Sequence, residues 1–200
     1  MRSLLLVRHG ETTWNAERRL QGRRDISLSE RGRQQIEAIR PLVATVESTA
    51  VVVSPLARAM ESCDLLGLRP THVDPRWQEA DLGAWTGRTQ DELIAVGDGG
   101  YAAWRAGMLA PPDSEPLTDL RDRVRAALED IEGEDRVLVV THGGPIRAVC
   151  SLLVGLEATR LVPVQPGRLT AFDLSGTAPR LRGYNVTPVH GHPLLADPPD

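Results

Sequence analysis

The sequence predicts a three-layer α/β/α sandwich on a mostly parallel central sheet, and three observations carry that prediction. Leu4–Val7, Ala50–Val53 and Val137–Thr141 are short apolar runs without polar alternation, the pattern of parallel strands covered on both faces. Helical segments separate these runs, which implies right-handed crossovers. With 200 residues, 41% of them hydrophobic and 25% charged, the chain fits a single domain, 1–200, with a core of its own.

Each element has a local reason. Leu4–Val7 runs directly into Arg8-His9-Gly10, after which Glu11 and Thr12 are suited to shape a loop and cap a helix. Ser27-Leu28-Ser29-Glu30 offers a capping-box start. Ile36, Ile39 and Val43 follow at helical spacing, and Pro41 is expected to kink or shorten that helix. Ala50–Val53 ends at Ser54-Pro55, and the helix running on to Leu66 stops at Gly67. Thr71–Val73 and Leu169–Leu174 read as outer strands. An insertion at about residues 86–116, rich in Gly and Pro from Asp98 to Pro116, is placed as a lid over the site. Leu117, Leu120, Val124, Leu128 and Ile131 then form an amphipathic core stripe. His142-Gly143-Gly144-Pro145 opens the next helix, with Pro145 near the first helical position, where its missing N–H costs nothing. Residues 176–200 read as an irregular tail.

Composition excludes several classes. A net charge of −4 argues against nucleic acid and anionic membrane as partners, since both favour a basic footprint. No apolar run approaches the roughly 18 residues of a transmembrane helix. Arg8 and His9 cut the first run too early for a secretory signal, so a cytoplasmic location is expected. Cys63 and Cys150 lack metal-ligand spacing and read as buried thiols with no disulfide. His72, beside an edge strand, reads as structural or solvated, and His190 and His192 in the tail are too few for a metal claim.

The chemistry lies where strands end. In a parallel α/β sheet, ligands bind beyond the carboxyl ends of the strands. Arg8 and His9 follow the first buried strand, Arg58 lies just past the second, and His142 follows the third. Guanidinium forks match phosphoryl oxygens, and a helix N-terminus after Gly143-Gly144 offers backbone N–H groups to an anion. The constellation points to phosphate. All 23 basic residues are Arg, so every permanently cationic contact is a fork.

These residues stand in ordered blocks: Arg8-His9-Gly10-Glu11-Thr12, Trp14-Asn15, Gln21-Gly22, Leu28-Ser29-Glu30-Arg31-Gly32, Ser54-Pro55-Leu56-Ala57-Arg58-Ala59, Glu79 through Gly87, and Thr141-His142-Gly143-Gly144. Over most of its length the chain thereby resembles the histidine phosphatase superfamily, also called phosphoglycerate mutase-like. The resemblance implies that His9 is a nucleophile that becomes phosphohistidine and that Arg8, Arg58 and His142 bind phosphoryl oxygens, His142 as a cation. It further implies Glu79 as the proton donor and Asn15 as part of the phosphate pocket, which Asn15 would leave if it only forms a turn. Metal and cofactor are expected to be absent.

The family holds mutases, small-molecule phosphatases and protein-directed phosphatases. Mutases resemble one another in a longer interval between the acid and the second His, and in a Thr-Gly where this chain has Gln21-Gly22. Here 62 residues, 80 to 141, lie between Glu79 and His142. This favours a metal-independent phosphomonoesterase acting on a small phosphorylated metabolite. The mutase and the phosphoprotein-directed enzyme stay as alternatives, and a homodimer stays open. Gln21, Gly22, Trp85, Arg88, Trp104, Arg105 and Met108 are candidates to line the substrate pocket, whose indole faces would suit a ring. The block Pro112-Asp113-Ser114-Glu115-Pro116 stands where many of these phosphatases carry Gly-Glu-Ser.

Overall fold

In the computed structural model, which describes residues 2–187, six strands form one sheet in the order β3-β2-β4-β1-β5-β6. These are β1 (Ser3–Arg8), β2 (Ala50–Val53), β3 (His72–Val73), β4 (Arg136–Thr141), β5 (Leu169–Asp173) and β6 (Arg180–Val186). The first four run parallel, β5 is antiparallel to β1, and β6 is antiparallel to β5. The helices are α1 (Thr13–Ala16), α2 (Glu30–Ala44), α3 (Ala57–Leu65), α4 (Gln90–Ala95), α5 (Gly100–Arg105), α6 (Leu117–Asp130) and α7 (Gly143–Val154).

The three layers follow from strand alternation. Leu5, Val7, Val51, Val53, Leu138 and Val140 face one side and pack against Ile36, Ile39 and Val43 of α2 and Ala59 and Cys63 of α3. Leu4, Leu6, Val52, Val137 and Val139 face the other, against Leu120, Val124 and Leu128 of α6 and Ile146 and Val149 of α7. Both cysteines are buried and free, and burial raises Cys63 to about 11 and Cys150 to about 12.

Local details differ from the sequence expectations. The cap of α2 is Ser29, whose side chain accepts from the Gly32 N–H; Ser27 takes no part, and the helix continues through Pro41 to Ala44. Leu169–Leu174 is not an outer strand: β5 is buried along its length between β1 and β6. Residues 180–186, read as irregular tail, form the edge strand β6. Two register shifts against β5 and the left-handed Asn185 break its alternation, which hid it from pattern reading. His190 and His192 lie outside the described residues. His72 is exposed on the short edge strand β3, as expected.

Beyond β1 the chain turns where two backbones touch. A Cβ at Gly10 would sit 2.3 Å from the Gly32 carbonyl oxygen, and one at Gly32 only 2.0 Å from that of Glu11. Thr12 caps α1 and exchanges a capping box with Asn15. No helix is long and apolar enough to cross a membrane among the described residues.

Candidate active site

Strands β1, β2 and β4 end side by side, and their ends bring His9, Ser54 and His142 together. Backbone bonds hold β1's end: the His9 N–H donates to the Thr141 carbonyl at 3.0 Å, and the Gly167 N–H donates to the carbonyls of both Arg8 and His9. His9 and His142 are buried, with ring centroids 5.0 Å apart.

The hydrogen bonds fix both imidazoles. His9 Nδ1 stands 2.6 Å from the Gly10 carbonyl oxygen, which can only accept, so Nδ1 carries the proton and Nε2 has the free lone pair. Arg58 Nε lies 3.2 Å from that Nε2 and also 3.2 Å from His142 Nδ1, so one N–H is shared between two acceptors. His142 therefore carries its proton on Nε2, which donates to Ser54 Oγ at 2.7 Å. The rest of the Arg58 fork donates to the carbonyls of Arg24 and Gly22, and Ser62 Oγ ties the Arg58 carbonyl to the Gly10 N–H.

Burial sets the charges. It holds His9 well below the ordinary imidazole value, with Arg58 and Arg8 adding to the shift and the Gly10 carbonyl opposing it. Burial, then Arg58, His9 and Arg8, does the same to His142. Burial and the neighbouring guanidinium groups thus favour the neutral form of both rings, in tension with the expectation of a cationic His142. Burial also lowers Arg8 and Arg58 to about 10, which leaves both cationic at neutral pH. Arg8 Nη1 donates to the Val164 carbonyl, while its buried Nε has no partner among the described residues.

Glu79 comes from the loop after β3 and meets the start of α7. Its Oε1 accepts from the Gly144 N–H at 3.0 Å and from the Ala80 N–H at 2.9 Å. The Gly144 N–H, expected to face a bound anion, is thus used by the site's own carboxylate. Arg123 of α6 clamps the backbone beneath, donating to the carbonyls of Gln78 and Glu79 and pairing with Glu115 at 2.7 Å.

All these groups open into a cavity of about 510 Å³. Of the sequence candidates, His9, Glu79, Arg8, Asn15, Arg58, Gly143, Gln21, Gly22, Trp104 and Arg105 line it; His142 sits behind Arg58. Asn15 reaches it while spending its Oδ1 on Thr12, so the turn and the pocket readings both hold geometrically. Trp85, Arg88 and Met108 do not line it. Trp85 packs edge-on against Trp104 at 5.9 Å in a small core with Leu20, Leu82 and Leu93. Arg88 contributes backbone to the adjoining turn, and Met108 is exposed. Sequence reasoning missed Arg18, Arg19, Gln90, Tyr101, Arg147 and the 163–166 loop. Only Arg147 carried a signal, since it lies four residues past Gly143 and shares its helix face. No group of three or more His, Cys, Asp or Glu is placed to hold a metal among the described residues.

Comparison with known proteins fits this geometry. The glucosyl-3-phosphoglycerate phosphatase of Mycolicibacterium vanbaalenii is 36% identical over 170 residues, covering 78% of this chain and 76% of that protein. "Probable phosphoglycerate mutase GpmB" of Enterobacter sp. is 34% identical over 177 residues, covering 79% and 77%. A mycobacterial glucosyl-3-phosphoglycerate phosphatase solved with VO3 superposes with a TM-score of 0.85 at 30% identity, covering 94% of this chain and all of that one. The profile of the histidine phosphatase superfamily, branch 1, matches residues 4–187, and the chain belongs to that superfamily.

Proposed function

We propose that the chain is a metal-independent phosphomonoesterase that hydrolyses a small phosphorylated metabolite through a phosphohistidine on His9. The observation that carries this reading is the His9 tautomer: a neutral ring whose Nδ1–H is held by Gly10 while Nε2 presents its lone pair beside Arg58.

In the first half-reaction His9 Nε2 attacks phosphorus, the bond from phosphorus to the ester oxygen breaks, and Glu79 gives its proton to the departing alkoxide. The Arg58 N–H turns from the lone pair to a phosphoryl oxygen, and Arg8 offers its unpartnered Nε to another. A phosphoryl dianion opposes the effect of both guanidinium groups on His142, so substrate binding favours the His142 cation that burial and those groups disfavour. Water then attacks phosphorus, Glu79 takes its proton, and the P–N bond breaks to release phosphate. Charge on the equatorial oxygens is met by the two arginines, the positive charge a metal supplies in other phosphoryl-transfer sites.

The cavity volume suits a metabolite better than a protein segment, and the relatives named as phosphatases support hydrolysis over isomerisation. A cytoplasmic location belongs to the same reading. Acid quench with labelled substrate should trap acid-labile, alkali-stable phosphate on the peptide containing His9, and activity should survive EDTA. Label on serine, or full turnover by His9→Ala, would overturn the mechanism. Supplying 3-phosphoglycerate with a trace of 2,3-bisphosphoglycerate separates the mutase: rapid formation of 2-phosphoglycerate with little free phosphate would replace the phosphatase reading.

A further inference from the structure

The carbonyl that fixes the His9 tautomer belongs to a peptide whose other end is held from outside the cavity. The Gly10 carbonyl oxygen stands 2.6 Å from His9 Nδ1, and on the same peptide unit the Glu11 N–H donates to Gln35 Oε1 of α2 at 2.9 Å. A peptide unit is planar, with its C=O and N–H pointing in opposite directions, so the two bonds are made or lost together. Turning the carbonyl away from His9 would pull the N–H off Gln35. An N–H can only donate, so Gln35 presents its oxygen there. His9 and Glu11 line the cavity among the described residues, and Gln35 does not.

The residue before this peptide explains why it needs a hold. A Cβ at Gly10 would meet the Gly32 carbonyl oxygen at 2.3 Å, so the position takes glycine, and glycine leaves the adjoining backbone freer to rotate than any other residue would. The neighbouring peptides are pinned independently: the Gly10 N–H donates to Ser62 Oγ at 3.2 Å, and the Glu11 carbonyl accepts from the Ser29 N–H at 2.8 Å. What orients the 10–11 unit between them is its pair of hydrogen bonds, one to the nucleophile and one to Gln35. The Gln35 stem is seated in turn. A Cβ at Gly167, whose φ is +66°, would lie 2.8 Å from Gln35 Cβ, and the Gly167 N–H donates to the carbonyls of Arg8 and His9. Gln35 is thus packed between the exit of β1 and the approach to β5.

We propose that Gln35 is a positioning residue for the nucleophile: by accepting from the Glu11 N–H it keeps the Gly10 carbonyl turned to His9, which holds the proton on Nδ1 and leaves the Nε2 lone pair for phosphorus. This rests on the reading of His9 as the nucleophile. Donation by the Glu11 N–H also polarises the Gly10 carbonyl and strengthens its bond to Nδ1–H. As Nε2 bonds to phosphorus the ring gains positive charge and Nδ1–H becomes a stronger donor, and an acceptor already in place meets that charge without reorganisation. Without Gln35 the Glu11 N–H must find another acceptor, and the carbonyl turns with it.

Gln35→Met keeps the stem and removes the acceptor, whereas Gln35→Glu keeps an oxygen for the Glu11 N–H. In single-turnover kinetics the Met variant should be phosphorylated about tenfold or more slowly by alkyl and aryl phosphates alike, because the attacking nitrogen and not the leaving group is affected. Affinity for inorganic phosphate should stay within about threefold, and Gln35→Glu should recover most of the rate. Proton NMR on the resting protein reads the same contact without turnover. A hydrogen-bonded imidazole N–H resonance, absent from His9→Ala, should be sharp in the parent, broadened by exchange in the Met variant and restored in the Glu variant. Gln35→Lys, which puts a donor where the acceptor stood, repeats the comparison should the Met variant melt below the assay temperature. A parent-like rate or a parent-like resonance in the Met variant would overturn the proposal. So would an equal loss in the Met and Glu variants, or a phosphate affinity that falls as far as the rate, either of which assigns Gln35 to packing alone. If the resonance responds as expected while no phosphate is trapped on His9, the phosphohistidine reading fails and the positioning role stands.

Discussion

The Gly144 amide donates to Glu79 Oε1 at 3.0 Å, and a Cβ on residue 144 would come within 2.2 Å of that same oxygen. The proton donor and the first turn of α7 are therefore fitted to each other, with the glycine's lack of a side chain setting the contact. Backbone amides at a helix start aim the carboxylate without the conformational freedom of a second side chain.

Gly144→Ala should displace the Glu79 carboxylate and slow hydrolysis of alkyl phosphates by about tenfold or more, within the range that general acid catalysis supplies. The melting midpoint should change little, because Ala suits a helix at least as well as Gly. Steady-state kinetics beside a thermal melt checks this, and unchanged kinetics would mean the carboxylate is not held where the proton is needed.

Glu79→Gln should slow the phosphorylation step by about 10²–10⁴ for alkoxide leaving groups and far less for aryl phosphates, since a phenolate of low pKa hardly needs the proton. Single-turnover kinetics on the two ester classes makes the comparison. Equal losses would assign Glu79 to positioning.

Arg58→Lys should lower kcat by about 10²–10³ although the charge is kept. The planar fork reaches two imidazole nitrogens and two carbonyls at once, which a single ammonium cannot do. A variant within a few-fold of the parent would show that charge alone suffices.

The neutral histidines give a signed pH dependence. His9 and His142 have folded values well below 6.5, so as pH falls beneath 6.5 the unfolded chain takes up protons that the folded chain refuses. Stability should therefore be full above about pH 7 and fall with acidification, by about 1.4 kcal/mol per pH unit for each histidine until its folded value is reached. Urea unfolding in the range from pH 7 to 5 measures this, and the nucleophile should stay deprotonated through the same range, so kcat/KM should show no loss at pH 6.5 assignable to His9. A flat stability profile would contradict the buried neutral rings.

Much of the architecture was legible locally. The runs at β1, β2 and β4 are apolar because both faces are covered, helical spacing placed α2, α6 and α7, and the Ser54-Pro55 start and Gly67 stop placed α3. Leu117 departs from its stripe, leaving the core to line the cavity. The strand-end residues Arg8, His9, Arg58 and His142 could be read together because in a parallel sheet such ends point the same way. The aromatic candidates could not be separated: Trp85 and Trp104 stand in the same insertion, and only packing turns one into the small core and the other to the cavity.

The sequence by itself determined the elements whose cause is local: periodicity, caps, and the residue types at strand ends. Tertiary structure alone decided what depends on distant neighbours. It seated β5 inside the sheet and β6 at its edge, because β1's second side needed a covered antiparallel partner that no spacing announces. It spent the Gly144 amide on Glu79, 65 positions away in sequence, and turned the neutral faces of His9 and His142 to one Arg58 N–H. It also brought Arg147 of α7 into the same cavity as Arg8 and Glu79. Tautomer, charge and unmet hydrogen bonds arise from the field of everything packed around a residue, and that field exists only once the chain has folded.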